Sequence, residues 1–176
     1  MTNIGETKIY KASLGLSIKI ITSLVFILFA WFIYKPFNEL LNSDIDINVM
    51  IINAGVILFF FFITIFCYVF APQKYGLNDH DLIIYRLASN KKINLQSIKT
   101  IKHLEKEEIG LLIRTFGVGG FFGNFGWFYS NKVGRLKLYA TQRKNYVLLT
   151  TNTDGKIMIT PDDLQLVEDV KGRLKM

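Results

Sequence analysis

The sequence predicts an α+β chain: a hairpin of two transmembrane helices, then a small β-barrel of about seven strands capped by a C-terminal helix. Three observations predict this. Two long apolar runs lie within the first 70 residues, short strand-like runs separated by turn residues fill most of the rest, and the pattern turns helical after Thr160. The 176 residues suffice for one ordinary domain and an appendage. Charge divides at the same place. Lys8, Lys11, Lys19 and Lys35 are balanced by Glu6, Glu39, Asp44 and Asp46, so the net charge of +7 belongs wholly to the residues that follow. An apolar part joined to a basic part reads as an anchor and a module.

The run from Val49 to Phe70 carries no charge and one amide, Asn53. As a helix it is roughly 33 Å long, enough for a hydrocarbon core of about 30 Å. The run from Ile18 to Tyr34 holds a single charge, Lys19, close enough to its end to reach the headgroups. Trp31 and Tyr34 suit the opposite interface, and Pro36 is expected to end the helix. The residues after Tyr34 lack the small-x-small pattern of a signal cleavage site, so this span is expected to stay. Lys8, Lys11 and Lys19 precede the first span, and Lys74, Arg86, Lys91 and Lys92 follow the second. The intervening loop has one lysine and three acids. Positive charge kept inside predicts residues 1–17 as a cytoplasmic tail, 18–34 and 49–70 as spans, 35–48 as an extracytoplasmic loop, and 71–176 as a cytoplasmic domain at the membrane surface. Cys67, the only cysteine, has no disulfide partner and reads as a small core or lipid-facing residue.

Strand-like runs then follow almost without a linker: Lys74–Leu77, Asp81–Leu87, Lys92–Leu95, Ser97–Lys106, Ile109–Thr115, Gly134–Thr141, Tyr146–Thr151 and Lys156–Thr160. The last two flank Asp154-Gly155, a strong hairpin dipeptide. Thr160-Pro161-Asp162-Asp163 offers a cap, a first-turn proline and first-turn acids for a helix reaching about Leu174, with Leu164, Leu166, Val167 and Val170 as its apolar stripe. Lys171, Arg173 and Lys175 suit its negative end.

Certain residues carry a family resemblance: Tyr75-Gly76-Leu77 with Leu82-Ile83-Ile84, Arg114 with Gly117–Ser130, Gly134, Tyr139-Ala140-Thr141, Asn145, Val147, Gly155-Lys156 and Thr160-Pro161-Asp162. With these residues and the strand order, the region from Pro72 onward resembles bacterial pleckstrin-homology (PH)-like membrane proteins. The resemblance implies a binding scaffold rather than an enzyme. Eukaryotic relatives hold phosphoinositides on a basic first hairpin loop, whereas the matching Asn78-Asp79-His80-Asp81 is acidic, which argues against that ligand here.

Phe116–Tyr129 is the most unusual segment, with five glycines and seven aromatic residues. One reading makes Phe121, Phe122, Phe125, Trp127 and Phe128 a loop that enters the inner leaflet or grips a partner. The other makes the segment an irregular strand pair whose rings fill the core or pack on the helices. It lacks the Gly-Lys-Ser/Thr ending of a phosphate loop. Lys91, Lys92, Arg135, Lys137, Arg143 and Lys144 are candidates for anionic headgroups. His80 and His103 have no further ligands at metal-binding spacing, and no nucleophile stands beside a recognisable base. No cofactor, metal or nucleic acid is expected. The bilayer and a protein partner are, and copies could associate through sheet edges. The expected role is a membrane-anchored, non-enzymatic binding or scaffold module recognising a protein or peptide. The alternative is anionic headgroup recognition by the basic face.

Overall fold

A computed structural model describes residues 7–41 and 45–174 of the chain. Glu6, Asp44 and Lys175, used above in the charge argument, lie outside the described residues. A short strand, β1 (Lys8–Lys11), precedes two long helices, α1 (Leu16–Leu40) and α2 (Ile47–Phe70). Both helices are long and apolar enough to cross a membrane, and only 11% and 6% of their most apolar windows are buried. They meet through Phe29 on Phe60, with ring centres 4.6 Å apart, and through Phe32 stacked on Phe60.

Pro36 does not end α1, which runs one further turn to Leu40. The added turn is held from outside: Asn53 of α2, buried, donates to Glu39 Oε2 at 2.7 Å, and Lys35 stands 3.7 Å from Glu39. A neighbouring helix that engages the chain beyond a proline offsets the hydrogen bond the proline cannot make.

Ten strands are present among the described residues. A four-stranded antiparallel sheet has the order β1, β2 (Lys74–Leu77), β3 (Asp81–Tyr85) and β4 (Lys91–Asn94). The remaining strands are β5 (Ile98–Leu104), β6 (Leu112–Gly119), β7 (Asn124–Ser130), β8 (Gly134–Ala140), β9 (Tyr146–Thr151) and β10 (Gly155–Ile159). They form a second sheet of order β5-β9-β10-β8-β7-β6, in which only β8 and β10 run parallel. A one-turn helix, α3 (Lys106–Ile109), occupies part of the stretch read as the strand Ile109–Thr115, and β6 begins only at Leu112. The reason is local: Glu105 and Glu108 form a reciprocal capping box that closes the helical turn. The chain ends in α4 (Gln165–Leu174).

The expected cap of α4 at Thr160 is not used. Thr160 is buried, and its hydroxyl accepts the Thr141 N–H at 3.0 Å. The helix starts five residues later, where Asp163 Oδ1 accepts the Gln165 N–H. The α+β class is otherwise as expected, two apolar helices followed by a β-rich domain with a C-terminal helix. One apolar core is shared by both sheets and α4, with Tyr75, Leu77, Leu82, Ile84, Leu149 and Ile157 among its fully buried members. A second lies on the other face of the six-stranded sheet, where Ile109 of α3 joins Phe128, Leu136, Leu138 and Met158.

Strand β1 has little apolar pattern, and tertiary contacts hold it. It pairs with β2 so that Tyr10 faces Tyr75. Lys8 and Tyr10 both donate to Asp169 Oδ2 on α4, and Ser13 N–H donates to Asp162 Oδ1 at 3.0 Å. The hydrogen bonds from Lys8 and Tyr10 draw the Asp169 carboxyl down to about 2. The folded value lies below the unfolded one of about 3.9. This contribution to stability is therefore complete above about pH 4 and is lost as pH falls towards 2. We expect β1 amides to exchange faster across that window, and Asp169→Asn to exchange fast already at neutral pH. Identical exchange of the variant and the parent at pH 7 would show that the latch holds nothing.

Candidate functional site

The site is built on the β6–β7 hairpin. Gly117 and Gly126 face each other across it, with φ of 126° and 119°. A Cβ on Gly117 would collide with Phe125 O, and one on Gly126 with Phe116 O. The two backbones approach so closely that only hydrogen fits between them. The close approach narrows the hairpin, and its tip, Gly120–Gly123, closes with a Gly120 N–H to Gly123 O bond of 2.9 Å.

The tip is lodged against the helices. Thr22 of α1 donates its hydroxyl to Gly120 O at 3.2 Å and accepts the Phe122 N–H at 3.1 Å. Phe121 sets its ring edge-on to Phe26 and Phe29, at 5.5 and 5.7 Å. Phe122 meets Phe26 and Tyr68 of α2 at 5.8 and 5.3 Å. Among the candidate aromatics, Phe121 and Phe125 are therefore buried at the helix end of the hairpin, and Phe122 is half-buried there. Phe128 belongs to the second core, and Trp127 is exposed. The sequence brought these rings together as one group. The structure separates them: Phe121 and Phe122 lie in the hairpin tip, Phe128 faces the second core, and Phe125 and Trp127 share the other face of β7, Phe125 buried towards the tip and Trp127 exposed further along.

Strand β6 is the last strand of its sheet. Six of its eight residues are exposed, and Ile113 and Phe116 expose 51% and 77% of their surface. Beside it, between the hairpin and the end of α2, runs a groove of about 600 Å³ lined by Phe66, Phe70, Phe116, Val118, Trp127 and Arg114. The apolar side chains of β6 gave a signal in the sequence. Its position at a sheet edge did not, because strand order is set by β8–β10 pairing far along the chain.

The basic candidates do not form one face. Lys91 on β4 and Lys137 on β8 both bind Asp154 in the β9–β10 turn, at 2.9 and 2.8 Å. Hydrogen bonds from the two ammonium groups, Lys137 foremost, hold the Asp154 carboxyl below the usual range. Lys137 also lies 5.0 Å over the Trp127 ring. Lys92 and Arg135 are exposed elsewhere, Arg135 beside Phe116 and Trp127. Arg143 and Lys144 sit apart, in the β8–β9 turn, lining a hollow with Leu14, Gly15, Leu16 and Ser17 at the start of α1. Among the described residues, no group of three His, Cys, Asp or Glu side chains comes together to hold a metal ion. His103 pairs loosely with Glu105 at 3.7 Å.

Neither curated proteins nor solved structures give a match to this chain. The family model described as the bacterial PH domain matches residues 73–174, from the first residue before β2 to the last of α4. The match covers more than half of the chain and takes in nine of the strands described above together with the closing helix, so the chain belongs to the bacterial PH domain family.

Proposed function

We propose that α1 and α2 anchor the chain as a membrane hairpin with both chain ends cytoplasmic, and that the PH domain is a non-enzymatic module binding an extended segment of a protein partner along β6. The exposed edge of β6 carries this reading. Its unpaired backbone groups accept an added strand, and Ile113 and Phe116 supply side-chain contacts beside it. Two further observations support the anchor. The helices keep their apolar surfaces outward, unlike a buried core helix. Pairing of β1 with β2 brings the chain before α1 alongside the chain after α2, so both helix ends return to one side. On this reading the spans, tail and loop keep the bounds expected from charge, with α1 longer than its span.

A photo-crosslinking residue at Ile113 or Phe116, in cells, is expected to give a discrete protein adduct. The same residue at Lys99, on the opposite edge strand β5, is expected to give none. Adducts of equal yield from both edges, or none from either, would overturn strand addition at β6. The alternative role, recognition of anionic headgroups, has its support in Arg143 and Lys144 beside the start of α1, since Lys91 and Lys137 are both engaged by Asp154. That role requires vesicle binding which falls steeply with salt.

A further inference from the structure

We propose that a cavity between α3 and the six-stranded sheet binds a single-chain anionic amphiphile. The cavity has a volume of about 310 Å³. Its floor is hydrocarbon, from Ile109, Leu112, Phe128 and Leu138. Two cations, Lys106 and Arg143, line the same space, and no aspartate or glutamate does. An apolar chamber with a few convergent polar groups is the usual form of a small-molecule site.

Both cations are available. Among the described residues neither Lys106 nor Arg143 forms an ion pair. Beside Lys106, Glu105 and Glu108 cap α3 through each other's backbone, and Glu107 neither lines the cavity nor pairs with Lys106. Asn124 and Tyr146 add an amide and a phenol to the lining. Burial raises the Tyr146 pKa, which keeps the phenol a neutral donor. The ligand therefore carries a carboxylate or phosphate head on one end and a short hydrocarbon stretch on the other. A doubly charged, fully polar ion would leave the floor of Phe128 and Leu138 facing charge.

The position of Arg143 indicates the source. The same residue lines the hollow beside Leu14–Ser17, and Gly15 N–H donates to Thr141 O at 2.8 Å two residues before it. The Arg143 side of the cavity thus adjoins the first turn of α1, where headgroups lie if α1 is anchored. The membrane source rests on that anchoring. The chemistry of the cavity does not, and neither depends on strand addition at β6.

The test uses the full chain in a neutral maltoside detergent, with the thermal midpoint followed against added hexanoyl lysophosphatidic acid, hexanoyl lysophosphatidylcholine or glycerol 3-phosphate. Lysophosphatidic acid is expected to raise the midpoint saturably, and the other two to leave it unchanged. Lys106→Gln and Arg143→Gln are each expected to weaken the response about tenfold, as loss of one charge-assisted contact does. Arg135→Gln, on an exposed residue outside the cavity, is expected to match the parent. An undiminished response in the Lys106→Gln/Arg143→Gln double variant overturns the site. Glycerol 3-phosphate acting as well as lysophosphatidic acid, with the same sensitivity to the variants, overturns the amphiphile in favour of a free phosphate. Recovery of the chain in a detergent-free carbonate wash refutes the anchor and so the membrane source, while leaving the micelle result to judge the cavity.

Discussion

Gly126→Ala is expected to destabilise the domain by about 3 kcal/mol, at the high end for a single added methyl group. Two effects combine. At φ of 119° an L side chain is strained, which costs of order 1–3 kcal/mol by itself. The new Cβ also meets Phe116 O, a backbone atom of the paired strand that cannot rotate away. Gly134→Ala separates the two terms. Gly134 has a φ of 85° with nothing within 4 Å of an added Cβ, so it carries the strain alone and should cost about 1 kcal/mol. Gly172→Ala, within α4 and equally unobstructed, should raise stability by about 0.5–1 kcal/mol. Thermal unfolding of the full chain in neutral detergent would read these as a fall of about 10 °C, a fall of a few degrees and a small rise. Trp127 lies beside Gly126 and reports the hairpin by fluorescence. If Gly126→Ala lowered the midpoint no further than Gly134→Ala, the close approach of the strands would be disproved. The consequence for function is direct. Spreading the hairpin at Gly126 withdraws Gly120 and Phe122 from Thr22, and with them the position of the β6 edge beside α2.

How much of this was legible in the sequence follows from how local each cause is. The two apolar helices are legible because their cause is composition along one stretch. The hairpin at Asp154-Gly155 is legible because the turn needs glycine there, at φ of 72°. Strand β1 is not. Its four residues carry one buried side chain, Tyr10, and it is a strand because β2 and Asp169 lie beside it, at least 63 and 159 positions away along the chain from the residues they contact. The end of α1 misleads for the same reason, since Pro36 signals a stop and Asn53 of the other helix overrides it. In the candidate site, composition marks the glycine and aromatic segment as unusual. The division of its rings among helix contact, core and solvent depends on which strand face each occupies and on where α1 passes. The Asp154 pairings are equally hidden, because β4 lies in one sheet while β8 and the β9–β10 turn belong to the other. Lysines that read as a free basic patch are, in the fold, partners of one carboxylate.

Tyr75→Phe is expected to cost about 2 kcal/mol although it removes a single oxygen. Tyr75 is fully buried in β2, and its hydroxyl donates to Tyr139 O on β8 at 2.8 Å while accepting the Thr160 N–H at 3.2 Å. One oxygen thus joins the four-stranded sheet to β8 and to the residue that follows β10, just after the chain leaves α2. Phenylalanine fits the space but leaves the buried Thr160 N–H without that acceptor, and an unmade bond costs more than a made one contributes. The alkaline limb provides a second reading. Burial pushes the Tyr75 pKa up to about 12, against about 10 unfolded. The folded state therefore holds this proton more tightly, its contribution is complete below pH 10, and stability falls as pH rises from 10 towards 12. In Tyr75→Phe that fall should be shallower, with the remainder due to the likewise raised Tyr10 and Tyr146. Denaturant midpoints measured from pH 7 to 11 would show a lower plateau and a flatter limb for the variant. A variant that keeps the parent's midpoint at pH 7 and its slope above pH 10 would show that the hydroxyl does not join the two sheets.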